Sequence, residues 1–281
     1  MASAYTQLID GIIEQLEKGI IPWRMAYNYV AKSHSTGKAY SLYNQILLTR
    51  PGTYWTFKQI QDASLRLKKG SHASRCVFWK IMKVKERGES EATRDIPYLR
   101  YYNVFHESDI EGLSLPEESE GADYDKADAI IANYLMQNPE IDYQEGSVAL
   151  VPPGYSPTRD MVHVHEKVQY KSVDDYYATI FHELIHSTGH KDRLDRFGDN
   201  PTDKTKEDYS REELVAEIGS AMLCGRCNIK STAENAISYC AGWAKSIKDN
   251  RTWLNWAGKR AEEAIDFLLI GMEDDDGDEM E

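Results

Sequence analysis

Tyr176-Tyr177-Ala178-Thr179-Ile180-Phe181-His182-Glu183-Leu184-Ile185-His186-Ser187-Thr188-Gly189-His190 is the stretch that decides how this chain is read. It contains H-E-x-x-H. On a helix that spacing sets His182 and His186 one turn apart on one face, where both imidazoles can reach one metal ion. Glu183 stands beside them, placed to take a proton from a water on that metal. Ile180, Phe181, Leu184 and Ile185 give the helix an apolar face to bury. A plainer reading is an amphipathic helix with two surface histidines. The flanking apolar positions are the context the motif requires, and they favour the metal.

A catalytic zinc site takes three protein ligands and keeps a fourth position for water. Three places after His186 could supply the third. Asp192 completes H-E-x-x-H-x-x-G-x-x-D, with Gly189 to turn the chain back. His190 shares the histidine face only if the helix continues past Gly189. Glu213 and Glu217 lie one turn apart in Ser210-Arg211-Glu212-Glu213-Leu214-Val215-Ala216-Glu217, so one can bind metal while the other orients a ligand histidine. Ser210-x-x-Glu213 also fits a capping box, which would occupy Glu213 at a helix start. Glu217 interrupts an apolar helix and has no such local use. The residues favour Glu213 as ligand and Glu217 as its support, with Asp192 the rival. One ion, zinc, is the expected cofactor.

Outward from this motif, the chain has the composition of a globular protein: 281 residues, 41% hydrophobic and 28% charged. No apolar run approaches the roughly 20 residues of a membrane span, and the first residues lack a basic-then-apolar leader. Four cysteines form no dense framework, which fits a reducing compartment, and a cytoplasmic location is expected. Residues 1–113 hold 16 Lys and Arg against 11 Asp and Glu, and residues 114–281 hold the remaining 17 and 35. Net charges of +5 and −18 therefore make up the total of −13. Such a split suggests two domains, the first compatible with a polyanion.

The expected fold class is α+β. Residues 1–112 form a small domain, 113–122 an acidic turn-rich linker, 123–271 a second domain, and 272–281 an acidic tail without fixed structure. In the first domain a helix over 3–19 precedes Ile21-Pro22-Trp23-Arg24, and 76–85 and 99–105 alternate like paired strands. Basic and aromatic residues interleave here: Trp23 with Arg24, Trp55 near Lys58, Trp79 with Lys80, Arg100 with Tyr102, and Lys38 and Lys69 in nearby turns. Bases of single strands stack on such rings while cations follow the phosphates. The same aromatics could equally be core. In the second domain Cys224-x-x-Cys227 has metal spacing but no second pair, which leaves two helix-end thiols as the simpler reading. His163 and His165 read as surface histidines on a strand, Asp160–His165, whose edge could pair with an extended peptide. Tyr155, Tyr176 and Tyr177 could stabilise an oxyanion.

His182-Glu183-Leu184-Ile185-His186-Ser187-Thr188-Gly189-His190, Arg193-Leu194-Asp195-Arg196 and Glu212-Glu213-Leu214-Val215-Ala216-Glu217 together resemble the metallopeptidase domain of ArdC-type antirestriction proteins. Ile21-Pro22-Trp23-Arg24, Tyr43-Asn44, Phe78-Trp79-Lys80 and Leu99-Arg100-Tyr101-Tyr102-Asn103-Val104-Phe105 resemble that family's N-terminal domain. The resemblance implies a zincin-like fold, with zinc on His182, His186 and a glutamate of the later helix, and Glu183 as general base. It also implies binding of single-stranded DNA and protection of incoming DNA from restriction. Two alternatives stay open: a DNA-binding factor whose zinc site is structural or inactive, and a metallopeptidase whose first domain recognises protein.

Overall fold

The structure, a computed structural model, describes residues 4–27, 30–48, 50–85, 93–113, 121–146, 151–198, 205–230 and 237–272. Most of the 113–122 linker and residues 273–281 of the acidic tail lie outside the described residues, as do the side chains of Trp79 and Lys80. The elements in order are α1 (Ala4–Glu17), α2 (Pro22–Tyr27), β1 (Ala31–Ser33), α3 (Leu42–Leu47), β2 (Gly52–Thr56), α4 (Phe57–Asp62), β3 (Arg66–Leu67), β4 (Ser74–Lys85), β5 (Thr93–His106) and β6 (Ile110–Glu111). They continue with α5 (Tyr124–Gln137), β7 (Asp142–Glu145), β8 (Gly154–Ser156), β9 (Met161–Val164), α6 (Val173–Ser187), α7 (Lys206–Arg226), α8 (Ile237–Asp249) and α9 (Trp253–Leu268). This is an α+β chain. It divides into two compact units, Met1–Gly11 with Val30–Glu117 and Ile12–Tyr29 with Glu118–Glu281.

In the first unit a four-stranded sheet runs β1-β2-β5-β4. Its core joins Ala31, Leu48, Tyr54, Cys76 and Val104, and a smaller cluster joins Trp55, Ile60 and Ile110. β4 pairs antiparallel with β5 over its whole length, Ser74 opposite Val104 through Lys85 opposite Thr93. Opposite residues share a face, so Cys76 and Val104 begin a buried face that Phe78, Arg100 and Tyr102 continue into solvent. α3 is fixed by its amides. Asn44 Nδ2 donates to Val77 O (2.9 Å) and its Oδ1 accepts from Val77 N (2.6 Å), closing the free edge of β4. Gln45 makes the same pair of bonds with Ala31 at the other end of the sheet.

The second unit packs α6 between a three-stranded sheet and α7. The strand order is β7-β9-β8, with β9 parallel to β7 and antiparallel to β8. The strand expected to offer an edge, Asp160–His165, is thus the central one, because both of its hydrogen-bonding sides are already used. Val162 and Val164 are fully buried. His163, expected at the surface, is only 7% exposed. α6 starts at the Ser172 cap, whose side chain accepts from Asp175 N, with Asp174 and Asp175 in the first turn. α7 starts at Thr205 with a Thr205–Asp208 capping box, one turn earlier than Ser210 would have set it. Ser210 Oγ donates to Lys206 O instead, which leaves Glu213 free of a capping role. Gly219 lets α7 approach α6 closely, since a Cβ there would sit 2.8 Å from Ile185 Cδ1.

Candidate metal centre

α6 carries the H-E-x-x-H residues on the face turned to α7. The Nε2 atoms of His182 and His186 lie 3.2 Å apart. Glu213 of α7 reaches both, with Oε2 3.5 Å from His182 Nε2 and Oε1 3.5 Å from His186 Nε2. Donors about 2.0–2.1 Å from a tetrahedral ion stand roughly 3.3 Å from each other. These three separations fit one divalent ion, and two imidazoles with a carboxylate are a donor set such an ion takes. Among the described residues this is the one group of three or more histidine, cysteine or acidic side chains arranged to hold a metal. Glu183 is 7% exposed beside it.

The electrostatics follow from crowding. Burial works against charge on His186, but hydrogen bonds to Glu212 and Glu213 outweigh it and push its pKa up to about 10. Burial would raise the Glu213 carboxyl, and hydrogen bonding with His182 and His186 instead holds it far below the usual range. The donors are therefore paired and pointed inward.

Asp192 takes no part. Its side chain is 69% exposed and lies 3.5 Å from His190 Nδ1. The reason is local: α6 ends at Ser187, and the chain folds back through Leu194 N to Thr188 O and Arg196 N to Gly189 O. His190 leaves the helix for the same reason. Glu217, expected to orient a ligand histidine, pairs with Arg24 of α2 through Nε and, at 3.0 Å, Nη2. The residue at His186 is Glu212, with Oε1 3.4 Å from Nδ1, and Arg196 grips Glu212 in turn. Sequence reading passed over Glu212 because Glu217 sits one turn from Glu213, and helical spacing alone cannot show which neighbour has another partner. The Arg193-Leu194-Asp195-Arg196 segment was the signal available. Arg193 bonds Ser187 O (2.8 Å) and Asp160 (2.9 Å), tying the end of α6 to the β8–β9 turn.

The three expected oxyanion tyrosines all have other engagements. Tyr155 OH donates to Asp160, Tyr176 OH to Glu145 and Tyr177 OH to Asp128. Cys224 and Cys227 are buried thiols, and burial pushes the Cys227 pKa up to about 12.

The residues expected to face nucleic acid divide. Trp23 is fully buried, edge-on to Trp243 at 5.6 Å, and like Arg24 belongs to the second unit, so no ring face is left for a base. Tyr43 is buried, and Asn44 is spent on β4. Trp55 is 7% exposed and stacks on His34. Lys38, Lys58, Lys69, Arg100 and Tyr102 are exposed. Phe78 and Tyr101, exposed by 52% and 41%, join them on the β4–β5 ribbon.

Two family models match: the N-terminal domain of anti-restriction factor ArdC over residues 2–105, and a zincin-like metallopeptidase over residues 127–260. A crystal structure of an antirestriction ArdC protein from the R388 plasmid, metal-free, superposes with a TM-score of 0.75 at 28% identity, covering 95% of this chain and 97% of that one. The chain thus joins an ArdC-type N-terminal domain to a zincin-like domain. The Mn(II)-bound R388 structure gives a TM-score of 0.73 at 27% identity over 97% of this chain and all of that one. Two Escherichia coli proteins, each named DNA primase TraC, are 28% and 26% identical over 94% and 92% of this chain. The chain spans only 27% and 19% of their lengths. The ArdC fold here thus pairs an N-terminal domain with a zincin-like domain that carries a site for a divalent metal. No described helix is long and apolar enough to cross a membrane.

Proposed function

We propose that this ArdC-type chain is a zinc-dependent peptidase joined to a domain that binds single-stranded DNA, and that it acts in the cytoplasm against restriction. The observation that carries the peptidase reading is the convergence of His182, His186 and Glu213 beside the buried Glu183. A bound zinc ion would polarise a water and the scissile carbonyl. Glu183 accepts the proton of the attacking water and passes it to the leaving amine, the two proton transfers that a carboxylate positioned beside the site supplies. Glu213 and the two histidines hold their donors inward. With β9 enclosed, the described edges of this sheet are β7, Asp142–Glu145, and β8, Gly154–Ser156, and an extended peptide would pair along one of them.

The DNA reading is supported by the exposed rings of Phe78 and Tyr102 beside Arg100 on one face of the β4–β5 ribbon, with Tyr101 and Arg75 exposed on the other. Lys38, Lys58 and Lys69 add positive charge to a region of net +5. It is also supported by the relatives, an antirestriction protein and two proteins named DNA primase. The test has two arms. A labelled single-stranded oligonucleotide should bind in preference to duplex, with affinity that falls steeply as salt rises. The zinc-loaded chain should cleave an unstructured protein such as casein, and Glu183→Gln should not. Absence of strand-selective binding removes the DNA half; cleavage retained by Glu183→Gln removes the mechanism.

A further inference from the structure

Three carboxylates meet at the metal centre, and only two have a place in the reading above. Glu183 is the base and Glu213 a ligand. Glu212 remains, buried with its side chain 12% exposed. We infer that Glu212 and Arg196 form a positioning pair that fixes His186 for the metal; this rests on the metal reading of His182, His186 and Glu213.

His186 turns Nε2 to Glu213 and Nδ1 to Glu212, at 3.5 and 3.4 Å. A ligand that binds through Nε2 must carry its proton on Nδ1, and an ionised carboxylate there selects that tautomer and fixes the ring plane. Glu212 can serve only if it stays ionised and still while buried. Arg196 provides both conditions. Its Nε lies 3.2 and 3.1 Å from the two Glu212 oxygens and its Nη2 2.7 Å from Oε1. Two further N–H groups are committed, one of Nη1 to Thr188 Oγ1 (2.8 Å) and one of Nη2 to Ile185 O (2.6 Å). Those acceptors lie at the C-terminal end of α6, where backbone carbonyls lack helical partners. One guanidinium, 5% exposed, therefore clamps the end of the histidine helix to the carboxylate of α7.

Gly189 belongs to the same device. A Cβ added there would lie 3.0 Å from Arg196 Nη2 and 2.7 Å from the Phe197 ring. The glycine after H-E-x-x-H thus makes room for the arginine. Lysine would keep the charge but not the planar fork that four acceptors require.

The test is calorimetric titration of the chelator-stripped full chain with Mn(II). Wild type should take up one ion, and His186→Ala should abolish uptake. Glu212→Gln and Arg196→Met should each weaken it by about 10–100-fold, the size typical of losing such a support, with Arg196→Lys in between. In the zinc-loaded chain, 15N spectra should show His186 as the Nδ1–H tautomer, and Glu212→Gln should shift that signal. If Glu212→Gln does not fold, Arg196→Lys and Gly189→Ala carry the same prediction. Affinities within twofold of wild type and an unchanged His186 signal overturn the positioning role alone. Uptake that survives His186→Ala overturns the metal reading and this inference with it.

Discussion

In the second unit His182, Glu183, His186 and Glu213 come from two packed helices and lie largely out of solvent. In the first unit Phe78, Arg100, Tyr101 and Tyr102 stand on a two-stranded ribbon with more than a third of each residue in water. The helical site is set by covalent spacing. His182 and His186 must share a face once the helix forms, and Glu213 needs only α7 beside α6. The ribbon face is set by where the sheet core stops. Along one face of β4–β5, Cys76 and Val104 are core while Phe78 and Tyr102, two residues further on, are not. Residue type does not mark that boundary.

The largest effect that sharpens this contrast belongs to Glu183. Glu183→Gln should lower peptidase turnover by about 10²–10⁴-fold, the usual share of a general base. Its Mn(II) uptake in the calorimetric titration should stay within twofold of wild type. Next comes Trp23, the residue that looks like a DNA contact and lies in the core of the other unit. Trp23→Ala should destabilise that unit by about 3–5 kcal/mol in chemical denaturation, and oligonucleotide binding measured below the transition should be unchanged. Tyr102→Ala should do the opposite, costing about 1–3 kcal/mol of single-strand affinity in fluorescence titration with little change in the unfolding midpoint. If Trp23→Ala weakens DNA binding and Tyr102→Ala does not, the division between core and ribbon is wrong.

A smaller effect should appear in acid. Burial opposes ionisation of Asp160, but hydrogen bonds from Arg193 and Tyr155 outweigh it, so its carboxyl stays below the ordinary value of about 3.9. It therefore stabilises the fold above that pH, and the contribution is lost as pH falls through the lowered folded value. Urea midpoints from about pH 2 to pH 6 should diverge between wild type and Asp160→Asn as pH rises, and converge in acid. The smallest effect is none. Asp192→Asn should bind Mn(II) as wild type does, because the exposed carboxylate lies away from the three donors.

Much of the architecture was legible. The α+β class, the motif helix and the β4–β5 pairing follow from period and residue type, and Glu213 was one of the acids that the spacing offered. What escaped was partner choice. Glu217 and Glu212 are both acids on the helix of Glu213, and only the arrival of α2 gives Glu217 to Arg24 and leaves Glu212 for His186. Ser210 looked like a cap because Ser-x-x-Glu is a capping pattern, but Thr205 caps one turn earlier. Asp160–His165 looked like an edge because its alternation is that of a half-buried strand, and alternation does not reveal how many neighbours a strand has.

By itself the sequence determined that two imidazoles would share one face, since a helix of 3.6 residues per turn leaves positions four apart no other face. Only the tertiary structure decided which acid backs which histidine and which aromatic meets water. Those outcomes depend on elements far apart in the chain competing for the same side chains, and the winner is set by packing, which local spacing does not record.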